Sequence, residues 1–110
     1  MNIITQEGQM YTIIRLEGDI DLSCSPEARK SILDVLQANK NLLIDLGKVS
    51  YIDSSGVASL VEGYQTAKKQ ALKFGLVGVS DAAMSVLKLA RLDKVFPIHD
   101  SVAEFEKEDA

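Results

Sequence analysis

A chain of 110 residues has the length of one domain with a single apolar core, and 46% hydrophobic against 25% charged residues is the balance of a globular protein. A formal net charge of −4, with no basic cluster longer than a pair, excludes the phosphate-neutralising surface that nucleic-acid binding requires. No run approaches the ~18 apolar residues of a membrane span, and the N-terminus lacks a basic region ahead of an apolar stretch. The expectation is a cytoplasmic protein with no direct membrane insertion, whose partner is another protein or a small molecule.

"NIITQ" and "MYTIIRLEG" read as two strands joined by a turn at Glu7-Gly8-Gln9, with Tyr11, Ile13 and Arg15 alternating against Thr12, Ile14 and Leu16. "SPEARKSILDVLQANKN" carries a helix start, with Ser25 as N-cap and Pro26 at the first helical position, and then Ala28, Ile32, Leu33 and Leu36 at helical spacing. "LLIDL" is a short apolar strand expected to end at Gly47, and "VSYID" leads into "DSSG". Beyond it, Val57, Leu60, Val61, Tyr64, Ala67 or Lys68, and Ala71 trace one apolar helical stripe. "KFGLVGV" is a strand, "SDAAMSVLKLARLD" a helix capped by Ser80, "KVFPIH" a short strand, and "DSVAEFEKE" a helix capped by Asp100. The end of the chain, "EFEKEDA", is expected to fray.

The order β-β-α-β-α-β-α-β-α predicts an α/β fold: a mixed, mostly parallel sheet of four to five strands with an N-terminal hairpin and about four helices. In such a sheet, functional groups gather where strand carboxyl ends meet helix N-termini, which is where residues 53 to 56 fall. A helix start favours Asp53 or Ser54 as a cap. Capping needs one such residue, however, and "DSSG" supplies a second serine and a glycine that lowers helix propensity. The same place suits a phosphorylated serine, whose charge of about −1.5 to −2 the helix terminus favours, with Gly56 leaving room for a kinase or partner. Spacing alone leaves both readings open.

"YIDSSGVASLVEGYQTAKKQ", with "LIDLGKV" before it, "FGLVGVSDAAMSVLKLARLDKVFPIHDS" after it and "LEGDID" upstream, resembles the anti-sigma factor antagonist family, whose fold is the STAS domain. The resemblance covers nearly the whole chain and implies a single STAS domain over residues 1–110, with 105–110 as its tail. It further implies that Ser54, the first serine of D-S-[ST]-G, is phosphorylated by a partner that is both anti-sigma factor and serine kinase of the histidine-kinase-like ATPase type. Ser55 is the alternative acceptor. The unphosphorylated protein would bind that partner, the phosphorylated protein would release it, and a serine phosphatase would reset the switch. Asp21, in "GDID", matches the family's aspartate close to the phosphorylation loop, and Asp53, Ser55 and Gly56 complete the switch loop and partner-binding set. Asp19 joins the same acidic neighbourhood, although as a turn residue it needs no function. Ala58 departs from the family, in which many members carry a glycine there. The alternative is a STAS subunit that binds the ATPase of an ABC-type lipid transporter, with Ser54 and Ser55 as interface or cap residues.

No catalytic set, cofactor site or metal site is expected. "DSSGV" lacks the first glycine of a nucleophile elbow, and the one histidine, His99, reads as a strand-end residue. Cys24 has no partner for a disulfide and no zinc-ligand spacing, so it reads as a small inert side chain, with a reactive thiol as the other possibility. Tyr64, Phe74, Phe96 and Phe105 read as packing residues. Met84, Leu87 and Leu89, with Ala83 and Ala90, make a helix apolar on most sides, either packed on the core or turned in part toward a partner.

Overall fold

The computed structural model describes residues 1–109. Its elements run β1 (Asn2–Glu7), β2 (Thr12–Ile20), α1 (Ser25–Gln37), β3 (Leu42–Ile52), α2 (Ser54–Lys69), β4 (Phe74–Val77), α3 (Asp81–Leu89), β5 (Ile98–His99) and α4 (Val102–Asp109). The five strands lie in sequence order in one sheet; β1 and β2 are antiparallel and every later pair is parallel. This is the α/β order that the alternation of patterns implied.

The strand periodicity of two sorts the core. Ile14, Leu16, Leu42, Ile44, Leu46 and Leu76 face one side of the sheet, where Ala28, Ile32 and Leu36 of α1, Val57, Leu60 and Ala67 of α2, and Ala83 and Leu87 of α3 close over them. Leu43 and Val77 face the other side, where Phe105 of α4 packs on them. Tyr64, Phe74 and Phe96 form an aromatic group at the edge of the main core, with centroids 5.7 to 6.1 Å apart. Of the helix read as apolar on most sides, Ala83 and Leu87 are buried while Leu89 is 86% exposed. The start of the tail expected to fray holds buried Phe105, set edge-on to Tyr11 and His99; Ala110 lies outside the described residues.

Four local expectations are corrected. β3 does not end at Gly47 but continues to Ile52, because two register shifts against β2 insert extra residues that break the alternation without breaking the pairing. The N-cap of α1 is Cys24, not Ser25. The backbone carbonyl of Asp21 accepts from the amides of Cys24 and Ser25, at 3.0 and 2.8 Å, so Ser25 is drawn into the helix and buried, and exposed Pro26 stands one position further in than expected. α4 is capped by Ser101 rather than Asp100, since the Glu104 amide donates to Ser101 Oγ at 3.2 Å. Ala71 lies beyond α2 in the left-handed region at φ 56°, so the buried stripe of that helix ends at Ala67.

Candidate functional site

Two chain reversals meet at the carboxyl ends of β2 and β3. The Asp53 amide donates to the carbonyl of Ile20 at 3.0 Å, which fastens the start of α2 to the end of β2. Asp53 has extended backbone and caps α2: its Oδ1 accepts from the amides of Ser55 at 2.9 Å and Gly56 at 3.1 Å, and from Ser55 Oγ at 2.5 Å. The amide of Leu22, in the neighbouring loop, faces this carboxylate and favours its charged form. Asp21, at the head of that loop, holds Ser23 in the same manner, through the amide at 3.0 Å and the hydroxyl at 2.5 Å. The two aspartates thus form similar turns side by side.

Their charges follow from these bonds. The Ser55 hydroxyl, with the Gly56 amide, holds the Asp53 carboxyl below the usual carboxylate range. The Ser23 hydroxyl and amide do the same for Asp21, against an opposing push from the Asp53 charge. Both groups are therefore ionised at neutral pH, and the loop pair presents two fixed negative charges.

The two serines differ. Ser55 is half-buried, and both its hydroxyl and its amide are committed to Asp53. Ser54 is exposed, and its hydroxyl makes no hydrogen bond among the described residues. Gly56 is buried, which corrects the expectation that it leaves room for an approaching protein. A Cβ there would lie 2.7 Å from Ile52 Cγ1 and 2.8 Å from Ile20 Cγ2, so the glycine lets α2 settle onto the ends of β2 and β3. Ser59, one turn further on, donates to the Ser55 carbonyl at 3.1 Å and reaches Ser25 at the start of α1 at 3.4 Å.

The structure brings Asp21, Asp53, Ser54, Ser55 and Gly56 to one place, with Asp19 exposed at the end of β2 beside them. Ala58 is exposed one turn along α2 from Ser54. Cys24 is half-buried, with Sγ 3.4 Å from the Asp19 carbonyl and 3.8 Å from Asp21 Oδ1, so it packs the loop's inner side. His99 sits in β5, away from this site. Sequence reasoning missed two apolar side chains at the rim: Leu22 is 73% exposed and Tyr51 52% exposed. The signal for Leu22 was a leucine inside the polar turn "DIDLSCS". Tyr51 carried none, because the shifted register of β3 decides which way it points.

Among the described residues no helix is long and apolar enough to cross a membrane. The family model for the STAS domain matches residues 2–105. Among curated proteins, the anti-sigma-B factor antagonist of Listeria monocytogenes serovar 1/2a is 26% identical over 99 residues, covering 88% of this chain and 86% of that protein. Among solved structures, a Thermotoga maritima protein superposes with a TM-score of 0.88 at 22% identity, covering 96% of this chain and 92% of its own. The anti-sigma factor antagonist SpoIIAA superposes in its unphosphorylated form at 0.81 and 17% identity, covering 97% of this chain and 95% of that one. Its phosphorylated form, from Bacillus, superposes at 0.77 and 17% identity, covering 99% and 100%. These likenesses establish the fold, and the family model runs from the first strand into the last helix. The chain belongs to the STAS domain family.

Proposed function

We propose that this protein is a cytoplasmic anti-sigma factor antagonist, one STAS domain over its whole length, that works as a phospho-switched binding module and not as an enzyme. Unphosphorylated, it binds an anti-sigma factor that is also a serine kinase of the histidine-kinase-like ATPase type. Phosphorylation of Ser54 releases it, and a serine phosphatase restores it. The observation that carries this reading is the contrast between the two hydroxyls: Ser54 is open to a kinase, while Ser55 is engaged in the cap of α2. The Listeria relative, an anti-sigma-B factor antagonist, and a structural neighbour solved in both phosphorylation states support it.

The physics of the loop explains how one phosphate would act. The amides of Ser55 and Gly56 at the helix start are already taken by Asp53, and that of Val57 by the Asp53 carbonyl. A phosphate on Ser54 therefore gains the field of the helix terminus but few free donors, and it faces the charges of Asp53 and Asp21. It is directed outward, into whatever surface covers Leu22, Tyr51 and Ser54. Repulsion and desolvation in that interface break the complex, without any rearrangement of the domain.

The test is to recover the protein from its host and locate phosphate by mass spectrometry in wild type, Ser54→Ala and Ser55→Ala, together with the proteins that co-purify. A single phosphate lost only in Ser54→Ala, and an ATPase-type serine kinase retained by Ser54→Ala, are the expected results. Phosphate on Ser55 alone would overturn the residue assignment; a transporter ATPase as the retained partner would overturn the function.

A further inference from the structure

The outer edge of the sheet is only half covered. β5 is two residues long and pairs with Leu76 and Val77, so among the described residues Phe74 and Gly75 at the start of β4 have no strand beyond them. Beside them opens a cavity of about 400 Å³, within the ~300–1,000 Å³ typical of small-molecule sites. Its walls are largely aromatic: Tyr64 and Phe74 meet edge-on with centroids 5.8 Å apart, Phe105 stands edge-on to His99 at 5.2 Å, and Leu72 completes the apolar lining. At the rim, Lys68 Nζ lies 5.7 Å from the centre of the Tyr64 ring, with no carboxylate partner among the described residues. Tyr64 is ten residues along α2 from Ser54, or about 15 Å at 1.5 Å per residue, so this cavity is separate from the phosphorylation loop.

The geometry points to a binding site for a small aromatic carboxylate, its ring between Tyr64, Phe74 and Phe105 and its carboxylate at the Lys68 ammonium. Flat aromatic walls favour a flat apolar body, because offset and edge-on ring contacts add to the area buried. Two lysines, Lys68 and Lys73, line the largely apolar mouth and favour an anionic group there. The site exists because β5 is short: a longer last strand would fill the same edge.

The experiment is an NMR titration of the amide-labelled full chain with 1-naphthoate and, in parallel, with the neutral 1-naphthalenemethanol. Saturable shifts centred on Leu72, Phe74, Gly75 and His99 are expected for both. Lys68→Gln, a change at an exposed position, should weaken naphthoate about two- to fivefold, the range of a solvent-exposed charge pair, and leave the alcohol unaffected. The alcohol thereby reports that the pocket itself is intact in the variant. Shifts that do not saturate or that scatter over the surface would overturn the site; naphthoate and alcohol responding alike to Lys68→Gln would overturn the placement of the carboxylate at Lys68.

Discussion

Ser55 is bound to Asp53 twice, its amide and its hydroxyl both donating to Oδ1, at 2.9 and 2.5 Å. Ser54, its immediate neighbour, contributes nothing to this arrangement. Ser55→Ala should therefore cost about 0.5–1.5 kcal/mol, the worth of one such bond, whereas Ser54→Ala should fall within about ±0.5 kcal/mol of wild type. Urea unfolding of the two variants measures the split. Equal losses would mean that both hydroxyls are structural.

Gly56→Ala places a methyl group 2.7 Å from Ile52 and 2.8 Å from Ile20, closer than side chains approach one another. Alanine gains about 1 kcal/mol of helix propensity over glycine, but overpacking of a tight core costs about 1–3 kcal/mol. The net outcome is destabilisation, read as a lower urea midpoint with unchanged slope. A more stable variant would show that α2 can lift from the strand ends at little cost.

The acid limb of stability should depend on Asp53. Its folded carboxyl is held below the ordinary value, so the unfolded chain binds more protons as pH falls, and the stabilisation present above about pH 4 is lost as pH drops through the lowered value. Asp53→Asn keeps an oxygen to cap α2 but removes the charge. Between roughly pH 5 and pH 2 its stability should fall less steeply than that of wild type. Unfolding midpoints at four pH values are sufficient; parallel limbs would place the linkage elsewhere, with Asp21 as the next residue to test.

Phosphate at Ser54 should weaken partner binding by at least about 2–3 kcal/mol, roughly 30–150-fold, while Ser54→Ala binds as wild type does. Calorimetry at two salt concentrations separates charge from shape, because repulsion at a rim softens with ionic strength. Thermal melts of Ser54→Asp should stay close to wild type, since the position is exposed. A fall of many degrees would show that the residue is structural.

Leu22, in the loop that meets the Asp53 turn, and Tyr51, three residues before Ser54, are exposed, so Leu22→Ala and Tyr51→Ala should leave stability within about ±0.5 kcal/mol yet weaken the same partner by more than about 1 kcal/mol. Leu89→Ala, at the C-terminal end of α3, is the control and should bind normally. Equal effects at all three positions would mean that the contact surface is not centred on the phosphorylation loop.

The chain's local patterns were enough to set its element order and the mostly parallel sheet, because apolar periods of two and of about 3.6 are written directly in the residues. They also located "DSSG" at a helix start, since capping depends on the few residues at the junction itself. Three matters lay beyond them. The continuation of β3 through Gly47 depends on pairing with β2, whose register shifts cannot be seen in either strand alone. The choice between Ser54 and Ser55 depends on which hydroxyl the Asp53 carboxylate captures, and that follows from the backbone angles at the cap. The meeting of Asp21 with Asp53, 32 positions apart in the chain, depends on β2 and β3 ending together, where the Ile20 carbonyl receives the Asp53 amide. Local chemistry names the residues that fit a helix start; only long-range strand pairing decides which of them share a surface and which hydroxyl is left exposed.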